Sequence, residues 1–278
     1  MQTGYNAGVF KYKFSPDTNR LSVLTAAVLL ALALTSVMDV QGSTRGVQLR
    51  GFYLPIGLNL RLVTILLAAG LTATGMDWLL RSHPRLAGKN TLTHWLLPTL
   101  TTLVISVPLY ILPRGGLWWL VFGLGGVLLV LVFLAEYAII DPSNVLYPAA
   151  TAGLTALSLA MFLILAIALR YASARLVVLI PLLLPAAFLV SLRALYLYLP
   201  GQWKYAWSAG AAIVCAQLAA GLHYWPLSPT RFGLILLGPL YALINLARNL
   251  EEGIPLKRAV VEPAIILGML WIVSLFLS

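Results

Sequence analysis

Long apolar runs separated by short polar loops recur along the chain from Leu21 onward, and none shows the every-other-residue alternation of a membrane-barrel strand. The runs fall at about Leu21–Val40, Asn59–Leu80, Trp95–Leu112, Leu117–Ile140, Tyr147–Leu169, Leu176–Leu199, Ala206–Tyr224, Phe232–Leu250 and Val260–Leu277. Each is about as long as a bilayer is thick, and lipid offers no water to satisfy backbone N–H and C=O groups, so each predicts a helix. The expectation is an all-α polytopic transmembrane bundle of eight or nine spans, with residues 1–20 as a polar segment and 21–278 as a single transmembrane domain. Two runs leave the count open: Trp95–Leu112 carries Pro98 and Pro108, and Val260–Leu277 starts with Glu262 and Pro263. No small-residue cleavage site follows Leu21–Val40, which is read as a retained span. Phe52–Leu58 (FYLPIGL) is apolar but too short to cross, and is expected at the interface.

Composition excludes a water-soluble fold. Hydrophobic residues fill 61% of 278 positions and charged residues 9%, against about 25% charged in ordinary soluble domains. The net charge of +10 comes from cations in short loops, so membrane lipids with anionic headgroups are the expected partners and nucleic acid is not. Other membrane subunits are a further partner class. Cys215 stands alone within an apolar run, which removes disulfide and thiolate-metal frameworks.

Lys and Arg in the loops set the orientation. With the N-terminus inside, eleven cations lie on the inner side and seven on the outer, so an inside N-terminus is favoured. The same threading places Asp17, Asp77, Glu136, Asp141, Glu251, Glu252 and Glu262 inside, and leaves only Asp39 outside. Such grouping fits carboxylates that neutralise inner-side cations and cap helix ends, or a polar site at the inner leaflet.

Ionisable groups at the centre of a span cost about 2.5 to 3.5 kcal/mol on insertion scales. Glu136 lies roughly 6 Å from the end of its span and Arg193 roughly 9 Å from the end of its own, at about 1.5 Å per residue. Arg193 can snorkel; the shorter Glu136 needs a partner, and Arg193 is one candidate. Asp77 has Arg81 one helical turn on. Asn245, Arg248, Glu251 and Glu252 end the eighth run beside Glu262 of the ninth, with Arg248 and Glu252 at ion-pair spacing and Gly253 and Pro255 closing the helix. Asp77, Glu136, Arg193, Asn245, Arg248, Glu252 and Glu262 are therefore the candidate substrate-binding residues.

Small residues at Ser208, Ala212, Ala216 and Ala220, and again at Ala149, Gly153 and Ala156, predict faces buried against other helices. Gly123, Gly125 and Gly126 fit close packing or a bend, and Pro181 with Pro185 predicts a kink. Trp78, Trp95, Trp118, Trp119, Trp203, Trp207 and Trp225 gather at span ends as an anchoring belt.

Catalytic and cofactor signatures are missing. There is no HExxH, GxSxG, GxxxxGK[ST] or CxxC. All five lysines lie outside the runs, which excludes a retinal Schiff base, and His83, His94 and His223 sit near span ends as interfacial residues. No cofactor, no metal and no catalytic residue is expected.

The segment LSPTRFGLILLGPLYALINLARNLEEGIPLKRAVVEPAIILGMLWI resembles bacterial polytopic membrane proteins grouped as a domain of unknown function. That resemblance implies a bacterial inner-membrane protein and transfers no active residue. Three functional readings follow. The first is a non-enzymatic membrane component or accessory subunit. The second is a small transporter using Glu136, Asp77 and Arg193. The third is an enzyme on a lipid or lipid-linked substrate, with Glu251, Glu252 and Glu262 as acid or base and Arg248, Lys257 and Arg258 holding a phosphate.

Overall fold

The computed structural model describes residues 16–37, 43–49, 52–58, 60–83, 91–141 and 143–276. Ten helices and one two-stranded hairpin make up the described chain: α1 (Thr18–Val37), β1 (Ser43–Leu49), β2 (Phe52–Leu58), α2 (Leu60–Leu80), α3 (Leu92–Ile111), α4 (Gly116–Ala138), α5 (Tyr147–Tyr171), α6 (Leu176–Tyr198), α7 (Tyr205–His223), α8 (Pro229–Glu251), α9 (Leu256–Ala259) and α10 (Val261–Phe276). Among these residues seven helices, α9 with α10 counting as one, are long and apolar enough to cross a membrane; the apolar parts of α1 and α3 are shorter. Large side chains such as Leu30, Leu67, Trp119, Val177 and Leu275 are exposed on their surfaces. Water would penalise such faces and lipid does not, so the chain is a multi-pass membrane protein.

Phe52–Leu58 forms an antiparallel ladder with Ser43–Leu49, from Ser43 opposite Leu58 to Leu49 opposite Phe52. Sequence length alone had made it an interfacial segment. Pro55, which cannot donate to a ladder, is tolerated because both strands of a two-stranded sheet are edges.

Contacts divide the chain into two compact units, Met1–Tyr147 and Pro148–Ser278. In the first, Asp17 caps α1 by accepting the Asn19 N–H at 3.0 Å. Leu24, Val28 and Leu32 then form an i, i+4 stripe buried with Ala68 and Met76 of α2, Ile105 and Leu109 of α3, and Leu129 and Phe133 of α4. Glycine permits close approaches on α4: a Cβ at Gly125 would lie 2.6 Å from Ile105 and one at Gly126 3.2 Å from Leu29, whereas Gly123 has nothing within 4 Å. Two of the three glycines are thus packing devices. The Thr72 and Thr102 hydroxyls meet at 2.9 Å between α2 and α3.

The second unit is built around α8. Over half of α8 is buried (56%), against 17% for Leu256–Phe276, so α8 is the core helix and α10 a peripheral one. Phe232, Leu236, Leu240 and Ile244 of α8 share a core with Phe162 and Ala166 of α5, Leu183 and Ala187 of α6, and Ala212 and Cys215 of α7. Gly233 admits Leu163 and Ile167, and Gly238 admits Leu267 and Trp271. Of the small face read on α7, Ser208, Ala212 and Ala216 are buried and Ala220 is half-buried. That read on α5 is not buried: Ala149, Gly153 and Ala156 are exposed, because the helix turns Ala150, Thr151, Leu154, Thr155 and Ser158 inward instead. α6 continues as helix through Pro181 and Pro185.

Candidate functional site

Helices α2, α3 and α4 alternate in direction, so the end of α2, the start of α3 and the end of α4 come to the same end of the first unit. Asp77, near the end of α2, accepts from Arg81 Nε at 2.6 Å through one carboxylate oxygen. Its other oxygen accepts from the Thr91 hydroxyl at 2.6 Å. Thr91 occupies the N-cap position of α3, yet its side chain makes no capping bond; the hydroxyl is spent on Asp77. Its carbonyl accepts the His94 N–H at 2.9 Å.

His94 faces the α4 carboxylate. Its Nδ1 lies 2.7 Å from Glu136 Oε2, with side-chain exposures of 10% for His94 and 0% for Glu136. A carboxylate so deep requires a hydrogen-bonded partner, since the desolvation of a lone ion would be prohibitive. The result is two side-chain contacts between helices, Asp77 of α2 with Thr91 and His94 of α3 with Glu136 of α4, joined at the start of α3 by the backbone bond from His94 to Thr91. The adjoining surface carries the His83 ring 4.9 Å from the buried Tyr137 ring. Arg20 donates to the Trp78 carbonyl at 2.9 Å and lies 5.0 Å over the Trp78 ring. Past α4, Asp141 Oδ1 accepts from the Ser143 N–H and hydroxyl.

His94 is the residue that sequence reasoning missed. Its place near a span end predicts an interfacial residue, whereas it is buried at 8% exposure. The signal was present: His94 opens one span and Glu136 closes the next, so antiparallel neighbours bring them to one level. Arg193 belongs to the second unit, where it is buried on α6 with its guanidinium 6.0 Å from the Tyr196 ring. Within the first unit, His94 is a partner of Glu136.

The remaining candidates lie at one end of the second unit. Arg248 Nε bonds Glu252 at 3.0 Å and the guanidinium stacks 4.7 Å over Tyr198. Asn245, buried, donates to the Tyr241 carbonyl of its own helix at 3.0 Å. Glu262 is exposed and makes no hydrogen bond or ion pair shown among the described residues. Glu251 is clasped by Lys204 Nζ at 2.7 Å and Trp207 Nε1 at 3.0 Å, which ties the end of α8 to the start of α7. Asn249 donates to the Ala259 carbonyl at 3.1 Å and fixes the turn between α8 and α9. Gly253, at φ +79°, closes α8, with Gly253 N–H on Leu250 and Ile254 N–H on Asn249, the paired bonds of a Schellman turn. Lys204, Trp207 and Asn249 carry no sequence pattern that would have singled them out.

No group of three or more metal-ligating side chains occurs among the described residues. In comparison with known proteins, the model of one family, described as a protein of unknown function (DUF5656), matches residues 40–277. No curated protein and no solved structure matches the chain.

Proposed function

We propose, for a chain that belongs to the DUF5656 family and takes no activity from it, a non-enzymatic role as a multi-pass component or accessory subunit of a bacterial cytoplasmic membrane. In this reading α1 and α3 cross the membrane with the seven longer helices, the N-terminus lies inside, and the polar groups hold helices and helix ends in place. The observation that carries it is the way the candidate side chains are used. Asp77 is taken up by Arg81 and Thr91, Glu136 by His94, and Arg248 by Glu252. Groups saturated by neighbours on the same or the next helix join the fold together.

Proton-coupled transport is the second reading, favoured by the depth of the His94–Glu136 pair, because intramembrane ionisable groups mark ion pathways in many carriers. Reconstitution separates the two. Proteoliposomes under an imposed pH gradient should show no flux above empty liposomes, and mild-detergent extraction should recover the chain with other membrane subunits in fixed ratio. Gradient-driven flux that disappears in Glu136→Gln would overturn the structural role and establish transport.

A further inference from the structure

Between Pro142 and Leu250 the chain has no acidic residue, yet it holds Arg170, Arg175, Arg193, Lys204, Arg231 and Arg248. The acids of the second unit, Glu251, Glu252 and Glu262, all sit where α8 ends and α10 begins. At the other end of that unit, α5 and α7 finish and α6 and α8 start. Among the described residues, Arg170 at that end has backbone carbonyls as its partners and makes no ion pair with a carboxylate.

A cavity of about 500 Å³ opens at this end, lined among others by Arg170, Ser173, Ala174, His223 and Leu227. Arg170 donates to the carbonyls of His223 at 2.8 Å, Trp225 at 2.6 Å and Leu227 at 3.4 Å. Those bonds use three of the five guanidinium N–H groups and fix its plane, but carbonyls cancel no net charge. Arg170 also lies 5.5 Å over the Phe232 ring. His223 lines the same cavity, and its Nδ1 is buried without a hydrogen-bond partner. Ser173, just past the end of α5, sits at φ 51°, a conformation that costs a non-glycine residue energy. Its N–H bonds Arg170 and that of Ala174 bonds Leu169, so the strained turn sets the wall of the cavity. A fixed, uncancelled guanidinium beside an unsatisfied imidazole nitrogen is the donor set for an oxyanion.

We propose that this cavity binds a phosphate oxyanion, borne by an anionic phospholipid headgroup or free in solution, with Arg170 supplying charge and His223 a hydrogen bond. The test uses the full chain in nanodiscs of phosphatidylcholine alone or mixed with phosphatidylglycerol. Lipid retained is read by native mass spectrometry, and inorganic phosphate binding by the melting midpoint. Arg170→Gln also releases three loop carbonyls, so two further variants keep the arginine: Ala174→Leu fills the cavity, and His223→Phe removes the nitrogen. Phosphatidylglycerol should bind the wild type at least ten-fold more tightly than either variant. If inorganic phosphate competes, the oxyanion alone is the ligand; if only the lipid binds, the headgroup is its source. Equal binding by the wild type and Ala174→Leu, or binding of neither probe, overturns the proposal. Only the lipid arm depends on the membrane reading, and none depends on whether the chain conducts protons.

Discussion

The two units hold their carboxylates in different ways. In the first, a carboxylate at 0% side-chain exposure is bound across helices by a histidine, and a second carboxylate, Asp77, accepts from Thr91 at the start of the next helix. In the second, the core is apolar and small, and Glu251, Glu252 and Glu262 stand exposed at helix ends. Depth explains why the same ion-pair chemistry does different things. A buried pair leaves a stranded charge when one member is lost, whereas an exposed pair returns both members to water or headgroups. A carboxylate paired in the core therefore marks the first unit and carboxylates held at exposed helix ends mark the second, while close packing at glycine serves both.

The sharpest way to break this contrast is to take a partner from the buried carboxylate of the first unit. His94→Leu, which takes from the buried Glu136 its hydrogen bond to His94, should cost about 3 to 5 kcal/mol, read as a lowered unfolding midpoint in mixed micelles. Next is a packing comparison. Gly125→Val should cost about 1 to 3 kcal/mol, because even a Cβ there meets Ile105 at 2.6 Å, while Gly123→Val, with nothing within 4 Å, should be tolerated. Smaller again, Gly253→Ala forces an alanine to φ +79° and should cost about 1 to 2 kcal/mol, against no loss for Gly268→Ala, which meets nothing. Smallest is Lys204→Ala, which opens the exposed clasp on Glu251 and should leave the unfolding midpoint unchanged. A large loss there would make an exposed carboxylate as cohesive as the buried one and erase the contrast.

Most of the helical architecture was legible because an apolar run of bilayer length has few ways to satisfy its backbone. Helix ends were legible where chemistry marks them, as at Gly253 and Pro255. Local partners were legible too: Arg81 lies one turn from Asp77 and Glu252 one turn from Arg248, and helical geometry does the rest. What hydropathy hides is azimuth. It placed His94 and Glu136 at one level without showing that both point between α3 and α4. It likewise put small residues on one face of α5 without showing that Thr151, Leu154 and Thr155 are the face turned inward. The hairpin at Ser43–Leu58 was obscured because a seven-residue apolar segment fits a strand or an interfacial stretch equally well. The Arg170 cavity depends on three carbonyls, groups that every residue carries and that no pattern marks.

One double-mutant cycle tests the central claim that the His94–Glu136 pair is a structural joint between α3 and α4. His94→Leu, Glu136→Leu and the double variant would be unfolded alongside the wild type in mixed micelles. The account predicts that each single variant loses stability and that the double regains a large part of the loss, a coupling above about 1 kcal/mol. Additive losses, or single variants as stable as the wild type, would contradict it and leave the buried pair to a role in proton movement.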